Sequence, residues 1–432
     1  MHSFMVGIKS RVHLILYTLL VVSLVLGVQI QANAAQNVQA VQLLDQGKWA
    51  PATYKQVQSM IDKYGIKNAK YNPKKKPYAV FDWDNTSIMN DTEEALFVYQ
   101  INNLMFKLTP EEFDEIVSKN VPAGEFSKDY INADGQRVTL EAITSDLSAD
   151  YQYLYENFKG LKGDKSLEEV QATDYFKDFQ AKLYFLYEAI NDTHGSSVGY
   201  PWVLYFFTNM TVEEVQAMAE ASNDANLGMA IKKVTWTSPA TRAGKAGVIS
   251  ASHVSGIRLT PEISNLMNTL RANGIDVYVV SASMQEVVKV FATLPKYGYN
   301  VAKENVIGMQ LEIENGKIKA QYKANYPLTV GHGKTEVIQA QIAKKRGYGP
   351  LFVAGDSNGD YEMMTEFADT KLVLVINRLK GGKIGQVAAK AVEQMKKPNP
   401  RYVLQGRNEN SGQWVPSEST IKLGMSELQL QP

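Results

Sequence analysis

Cysteine is absent from this 432-residue chain. Without it there is no disulfide, thiolate nucleophile, thiolate zinc site or iron–sulfur cluster. Histidine is scarce: five residues, scattered and without an HExxH pair, argue against a histidine-rich metal centre. Net charge is missing too, because Lys plus Arg and Asp plus Glu each number 45. A nucleic-acid binder working through bulk basic charge is thereby disfavoured. Internal repeats and low-complexity tracts are also lacking. What is present is ordinary for a globular chain, 45 % apolar and 21 % charged. At roughly 150 residues per domain the length allows two or three units, or one core with a large insertion.

The first segment reads as a leader. Lys9, Arg11 and His13 precede an apolar run from Leu14 to Val28, and Ala32-Asn33-Ala34 supplies small residues at a cleavage position. This pattern predicts a cleaved signal peptide over 1–34, an uncleaved anchor being the alternative. The mature protein is then expected to be secreted or periplasmic, with no membrane association after cleavage and no nucleic-acid partner. A cysteine-free protein in an oxidising compartment must draw its stability from core size.

The mature chain reads as strand–helix alternation. Pro51 opens an amphipathic stretch expected to be helical and peripheral. Tyr78-Ala79-Val80-Phe81, Val277–Val280, Leu351–Ala354 and Leu372–Ile376 are short apolar runs suited to buried parallel strands. Helices are expected at 284–293, 334–346 and 380–396. Thr109-Pro110-Glu111-Glu112 and Thr211-Val212-Glu213-Glu214 read as capping boxes, and Thr260-Pro261 opens a helix that Gly274 closes. The fold class predicted is α/β: a doubly wound, Rossmann-like parallel sheet with a large, mainly helical inserted cap. The expected division is 35–86 and 275–400 for the core, 87–274 for the cap and 401–432 for a surface extension.

Three of the strands end in chemistry, and in open α/β sheets sites form at the carboxyl ends of strands. The first is followed by Asp82-Trp83-Asp84-Asn85-Thr86. Two carboxylates two positions apart can address one small site, one attacking and one handling a proton. A calcium loop is the competing reading, and no glycine or further ligand series supports it. The second strand leads to Ser281-Ala282-Ser283, where a hydroxyl can contact a phosphoryl oxygen or cap the next helix. Lys334 follows Gly331-His332-Gly333 at a helix start, where a cation is misplaced against the dipole unless an anion lies between them. The third strand leads to Gly355-Asp356-Ser357-Asn358-Gly359-Asp360, two carboxylates in a glycine-bearing loop that suit Mg²⁺ or form an ordinary polar turn.

This four-part set, hhhhDxDxT, hhhhS, Lys and hhhhGDSxxD, resembles the haloacid dehalogenase-like hydrolase superfamily over roughly 77–86 and 275–380. The insertion after the first motif looks like the type-one cap of phosphoserine-phosphatase-like members. The resemblance implies a Mg²⁺-dependent phosphomonoesterase with an aspartyl-phosphate intermediate. It makes Asp82 the nucleophile and Asp84 the general acid–base, the latter with a pKa raised by neighbouring carboxylates. Thr86, Ser281 and Lys334 become the phosphoryl contacts, and Asp82, Asp84 (through its carbonyl), Asp356 and Asp360 the metal group. The partner implied is a small phosphate monoester. Residues Tyr78 to Gln100, with Glu93-Glu94, are similar to secreted phosphorylcholine-phosphatase-type enzymes, which act on phosphocholine and related amino-alcohol phosphates. Glu93, Glu94, Trp202 and Tyr205, with Tyr151 and Tyr155, are then candidates to hold a quaternary ammonium, although an aromatic stripe is more often core. A phosphoserine-type or broad monoesterase, and an extracellular binding protein for phosphorylated head groups, are the alternatives.

Overall fold

The computed structural model describes residues 42–430, so the leader expected over 1–34 lies outside them. Six parallel strands form the central sheet: β1 (Tyr78–Phe81), β2 (Asp276–Met284), β3 (Val306–Met309), β4 (Phe352–Gly355), β5 (Leu372–Ile376) and β6 (Tyr402–Gln405). Their order is β6-β5-β4-β1-β2-β3. The chain leaves β1 for β2 and β3 on one side, then returns to β4 on the other. The strand order therefore reverses at β1, which is where open α/β sheets open a crevice.

The sheet is apolar on both faces because both are covered. Ala79 and Phe81 of β1 enter one hydrophobic cluster and Tyr78 and Val80 the other, the period-two split of a strand. Helices Pro51–Tyr64, Pro261–Ala272 and Gln285–Thr293 contribute Val57, Ile263 and Val287 to the first. Helices His332–Ile338, Tyr361–Thr365 and Gly382–Gln394 contribute Val337, Met363 and Val387 to the second. The Pro51 helix is thus not peripheral: Val57, Met60 and Ile61 are buried, and Ala50 N–H donates to Gln405 Oε1 of β6 at 2.7 Å.

The long segment between β1 and β2 is helical in the main, as its capping signals predict. Thr109 and Thr211 each form a reciprocal capping box, with Glu112 and Glu214. Its core is aromatic, with Phe113 stacked on Tyr151 at 4.1 Å, and merges with the first cluster of the sheet. It also carries an antiparallel ribbon, Lys232–Thr237 with Ser250–Ser255. A second antiparallel pair, Ile88–Met89 with Arg258–Leu259, draws the two ends of this segment together. Helix Pro261–Ala272 follows and contributes to the core beneath β2. Among the described residues no helix is long and apolar enough to cross a membrane.

The residues after Arg401 are not a surface appendage. Tyr402–Gln405 is β6, in register with β5 (Val373↔Tyr402 to Ile376↔Gln405). Gln405 Nε2 then bonds the carbonyls of Gly406 and Val415 at 2.9 and 2.8 Å, and Trp49 packs edge-on to Trp414 at 4.7 Å. The Gly/Asn/Ser composition of 406–412 marks the turn at 409–412 but hides the long-range partners that bury Gly406, Arg407 and Glu409.

Candidate active site

Parallel register brings the strand ends level. Phe81 of β1 pairs with Ala354 of β4 and with Val279 of β2. Asp82, Ser281 and Asp356 therefore emerge at one edge of the sheet. All three line a single cavity of about 740 Å³ together with Asp84 and Lys334.

Asp82 is the hub of this edge. Its Oδ1 meets Lys334 Nζ at 2.5 Å, and its Oδ2 accepts from Thr86 Oγ1 at 2.9 Å. Lys334 also meets Asp360 Oδ1 at 2.7 Å, which resolves its misplacement at the helix start: the anions lie against it. Burial would lower the lysine's pKa, but Asp360 and Asp82 outweigh it and hold the ammonium charged. The other oxygen of Asp360 accepts the N–H groups of Asp356 and Ser357, at 3.0 and 2.9 Å, so the acidic loop is closed on itself. Asp356 pairs with Arg378 Nη1 at 2.7 Å. Burial works to raise its pKa, but Arg378 and Lys380 overcome this and hold it below the ordinary range.

Asp82, Asp356 and Asp360 offer carboxylate oxygens within 4.8 Å of one another, all buried. Thr86 Oγ1 lies 2.9 Å from Asp82 and 2.8 Å from Asp356. A hydroxyl has one proton and cannot donate to both at once. The three carboxylates are paired directly with two cations, Lys334 and Arg378. Burial, then Asp360, push the Asp82 carboxyl well above its ordinary pKa, with Lys334 opposing. An all-oxygen, acid-rich donor set of this kind fits a hard divalent cation such as Mg²⁺.

Asp84 turns away from this group. Its Oδ1 accepts Thr92 N–H at 2.7 Å, and its Oδ2 accepts Ser283 Oγ at 2.6 Å and Ser281 Oγ at 3.3 Å. Its pKa is raised, but by burial and against these hydrogen bonds, rather than by carboxylate neighbours. Neither serine caps the following helix. β2 runs on to Met284, whose N–H at the helix start is taken by Glu93 Oε2 at 2.9 Å. Burial, with Asp84 adding, pushes the Glu93 carboxyl up to about 8. Its second oxygen is buried without a hydrogen-bond partner. Glu94 accepts from Tyr184 OH at 2.6 Å, and both glutamates line the cavity.

Trp202 and Tyr205 do not reach it. Trp202 is fully buried in the cap core, its Nε1–H bound to Val117 O at 3.1 Å. Tyr205 is buried in a 3-10 turn and its hydroxyl accepts from Asn120. Tyr151 is spent on Leu108 O. The cavity's aromatic wall is instead Tyr184, Tyr187 and Tyr200, joined by the acids Glu188 and Asp192. The sequence reading also missed Arg378 and Lys380. They follow β5 directly, so the strand-end rule that found the other groups would have found them.

A family model of haloacid dehalogenase-like hydrolases matches residues 208–365, a span that takes in Ser281, Lys334, Asp356 and Asp360. The chain carries a haloacid dehalogenase-like hydrolase domain. It is 27 % identical over 332 residues to a phosphorylcholine phosphatase from Pseudomonas aeruginosa, covering 71 % of this chain and 76 % of that protein. It is 31 % identical over 105 residues to a chloroplastic phosphoserine phosphatase from Arabidopsis thaliana, covering 24 % of this chain and 34 % of that one. A functionally unknown protein from Anaerococcus prevotii DSM 20548, known by its crystal structure, superposes with a TM-score of 0.82 at 37 % identity, over 88 % of this chain and 98 % of that chain.

Proposed function

We propose that this hydrolase is a Mg²⁺-dependent phosphomonoesterase acting on small amino-alcohol phosphates, phosphocholine foremost, in a secreted or periplasmic setting. The observation that carries the reading is the meeting of Asp82, Lys334 and Asp356 in one cavity at the edge of the sheet, with Asp360 buried behind them against Lys334. An Asp82 oxygen attacks phosphorus as the ester P–O bond breaks, and the leaving alkoxide takes a proton from Asp84. Water then attacks the phosphorus of the aspartyl phosphate, losing its proton to Asp84. The bond to Asp82 breaks, giving inorganic phosphate and the original carboxylate. Lys334 holds Asp82 in place and offsets charge on the incoming phosphate. Ser281 and Thr86 orient Asp84 and Asp82. Mg²⁺, held by Asp82, Asp356 and Asp360, would supply the remaining positive charge that lets a carboxylate approach a phosphate dianion.

The leaving-group preference rests on the far wall. Glu94, Glu188 and Asp192 line the cavity beside Tyr187 and Tyr200. Burial, then Glu94 and Asp192, push Glu188 up to about 7 against the opposing Lys233, so these acids have room for further positive charge. A quaternary ammonium supplies that charge and packs on aromatic faces. Arg378 and Lys380 on the same cavity favour a second reading, a leaving group with a carboxylate such as that of phosphoserine. Phosphate release from phosphocholine, phosphoethanolamine, phosphoserine and p-nitrophenyl phosphate, with and without Mg²⁺, separates the two. Equal rates on all four esters would end the choline preference, and no release from any would end the phosphatase reading. The leader and the compartment are tested by the N-terminus of the exported protein, expected at Ala35.

A further inference from the structure

One buried side chain of the C-terminal segment reaches the turn that carries Asp84 and Thr86. Gly406 lets the chain fold tightly after β6, since a Cβ there would lie 1.8 Å from Ser419 O. Arg407 follows, 3 % exposed. Its guanidinium donates to the Asn85 backbone carbonyl at 3.2 Å and to the Asn85 side-chain oxygen at 3.2 and 3.3 Å. The rest of the guanidinium is gripped by Glu409 Oε1, from Nη2 at 2.9 Å and Nε at 3.3 Å. Glu409 is itself fixed by Lys422 at 3.0 Å and by Leu423 N–H at 3.2 Å.

Asn85 is a telling place for such an anchor. It stands between Asp84 and Thr86, in a left-handed conformation with φ 62°. Asparagine tolerates that conformation better than other residues with a side chain, and it turns the chain sharply between Asp84 and Thr86. Asn90 O takes the Asn85 N–H at 3.0 Å, and Arg407 takes both of its oxygens. Burying a guanidinium is expensive, and an apolar side chain would stabilise the same space more cheaply. What an arginine adds is a rigid fork that fixes two acceptors in one plane. The same segment braces the β5 edge, where Thr420 Oγ1 donates to Asn377 O at 2.5 Å and Glu418 O accepts from Asn377 Nδ2 at 2.9 Å.

We propose that Arg407 is a positioning residue for the hydrolase reaction. It holds the Asn85 turn, and thereby Asp84 and Thr86, in the working arrangement, which makes the C-terminal segment part of the catalytic apparatus. This inference rests on the phosphatase reading above.

The test compares Arg407→Ala, Arg407→Lys, Asn85→Ala and the Arg407→Ala/Asn85→Ala double variant in the full chain. The readouts are kcat and KM on p-nitrophenyl phosphate and phosphocholine, beside thermal melting. Arg407→Ala is expected to lower kcat about 30-fold or more with KM changed less than about threefold, the pattern of misplaced reacting groups. Added guanidinium should restore part of that loss. The double variant should be no slower than the slower single one, because both cut one link. A folded Arg407→Ala protein with kcat within threefold of wild type, or a double variant whose losses multiply, overturns the proposal. Should Arg407→Ala fail to fold, Arg407→Lys decides: an ammonium lacks the planar fork, so an unchanged kcat overturns the role and a reduced one supports it. Absence of phosphate release by the wild-type chain would remove the reading itself, whereas normal wild-type release with an unimpaired Arg407 variant removes the positioning role alone.

Discussion

Two buried lysines, each between two aspartates, invite comparison. Lys334 meets Asp82 and Asp360 at 2.5 and 2.7 Å at the edge of the sheet. Lys182 meets Asp146 and Asp178 at 2.9 and 2.8 Å inside the cap. Both are almost wholly shielded from solvent. They differ in what surrounds the ammonium. Lys182 also donates to the carbonyls of Arg242 and Ala243 at 3.1 Å, and Asp146 accepts the N–H groups of Lys245 and Ala246 at 2.8 and 2.9 Å. Every partner there is internal, and the group ties the 242–246 loop to two helices. Lys334 faces a cavity whose carboxylates outnumber its cations. A buried ion pair is thus no sign of chemistry by itself. An ion pair that lines a cavity, with further carboxylates facing the same space, is.

The largest effect should come from the open cluster. Asp82→Asn is expected to cut turnover by at least about 10³-fold with the fold retained, since an amide cannot serve as the attacking oxyanion. Normal turnover in a pure, folded Asp82→Asn protein would dissolve the distinction drawn between the two lysines. Chelation comes next. Removing divalent ions should abolish phosphate release, and Mg²⁺ should restore it, while circular dichroism of the cap helices stays unchanged.

The direct contrast is Lys334→Met against Lys182→Met. Loss of Lys334 should lower kcat by roughly 10²-fold or more, by removing charge from the reacting centre. Loss of Lys182 should leave kcat of the folded fraction within about twofold. It should cost about 3–5 kcal/mol of stability, because two buried carboxylates lose their cation. Denaturant unfolding and activity per folded molecule read the two effects separately, and an exchange of phenotypes would reverse the assignment.

The last contrast is a pH dependence belonging to the closed cluster. Asp150, beside Asp178 and paired with Arg242 at 2.5 Å, is pushed up to about 8. Burial is the main cause, Asp178 adds to it and Arg242 opposes. The folded state therefore holds a proton that the unfolded chain releases near 3.8. The stability tied to it is full below that value and is lost as pH rises towards about 8, with a slope of at most about 1.4 kcal/mol per unit. Asp150→Asn should flatten the stability profile over that window without altering the pH profile of turnover.

The comparison also shows which parts of the molecule the sequence could express. β1, β2 and β4 were legible because a short apolar run that ends in Asp, Ser or Gly-Asp combines a buried strand with a polar exit, β5 was legible from its apolar run alone, and parallel register does the rest. Lys334 was legible as an electrostatic anomaly. Trp202 and Tyr205 were misread because aromatic content in a cap does not say which rings face a cavity and which pack together. The pairing of Glu93 with Met284 N–H, which stands where the alternative reading put a serine cap, spans 191 positions. Arg407 spans 322 to reach Asn85, and no local pattern marks it. Local periodicity records what a residue does for its own element, and these two serve elements far away.

The sixth strand has a consequence for how the protein comes into being. Ala50 N–H and both oxygens of Asn85, near the beginning, find partners in Gln405 and Arg407, near the end. During synthesis the sheet waits with an open border until almost the whole chain has emerged from the ribosome. A product released early, short of Tyr402, would carry every acid of the reaction centre and still lack the piece that closes the border.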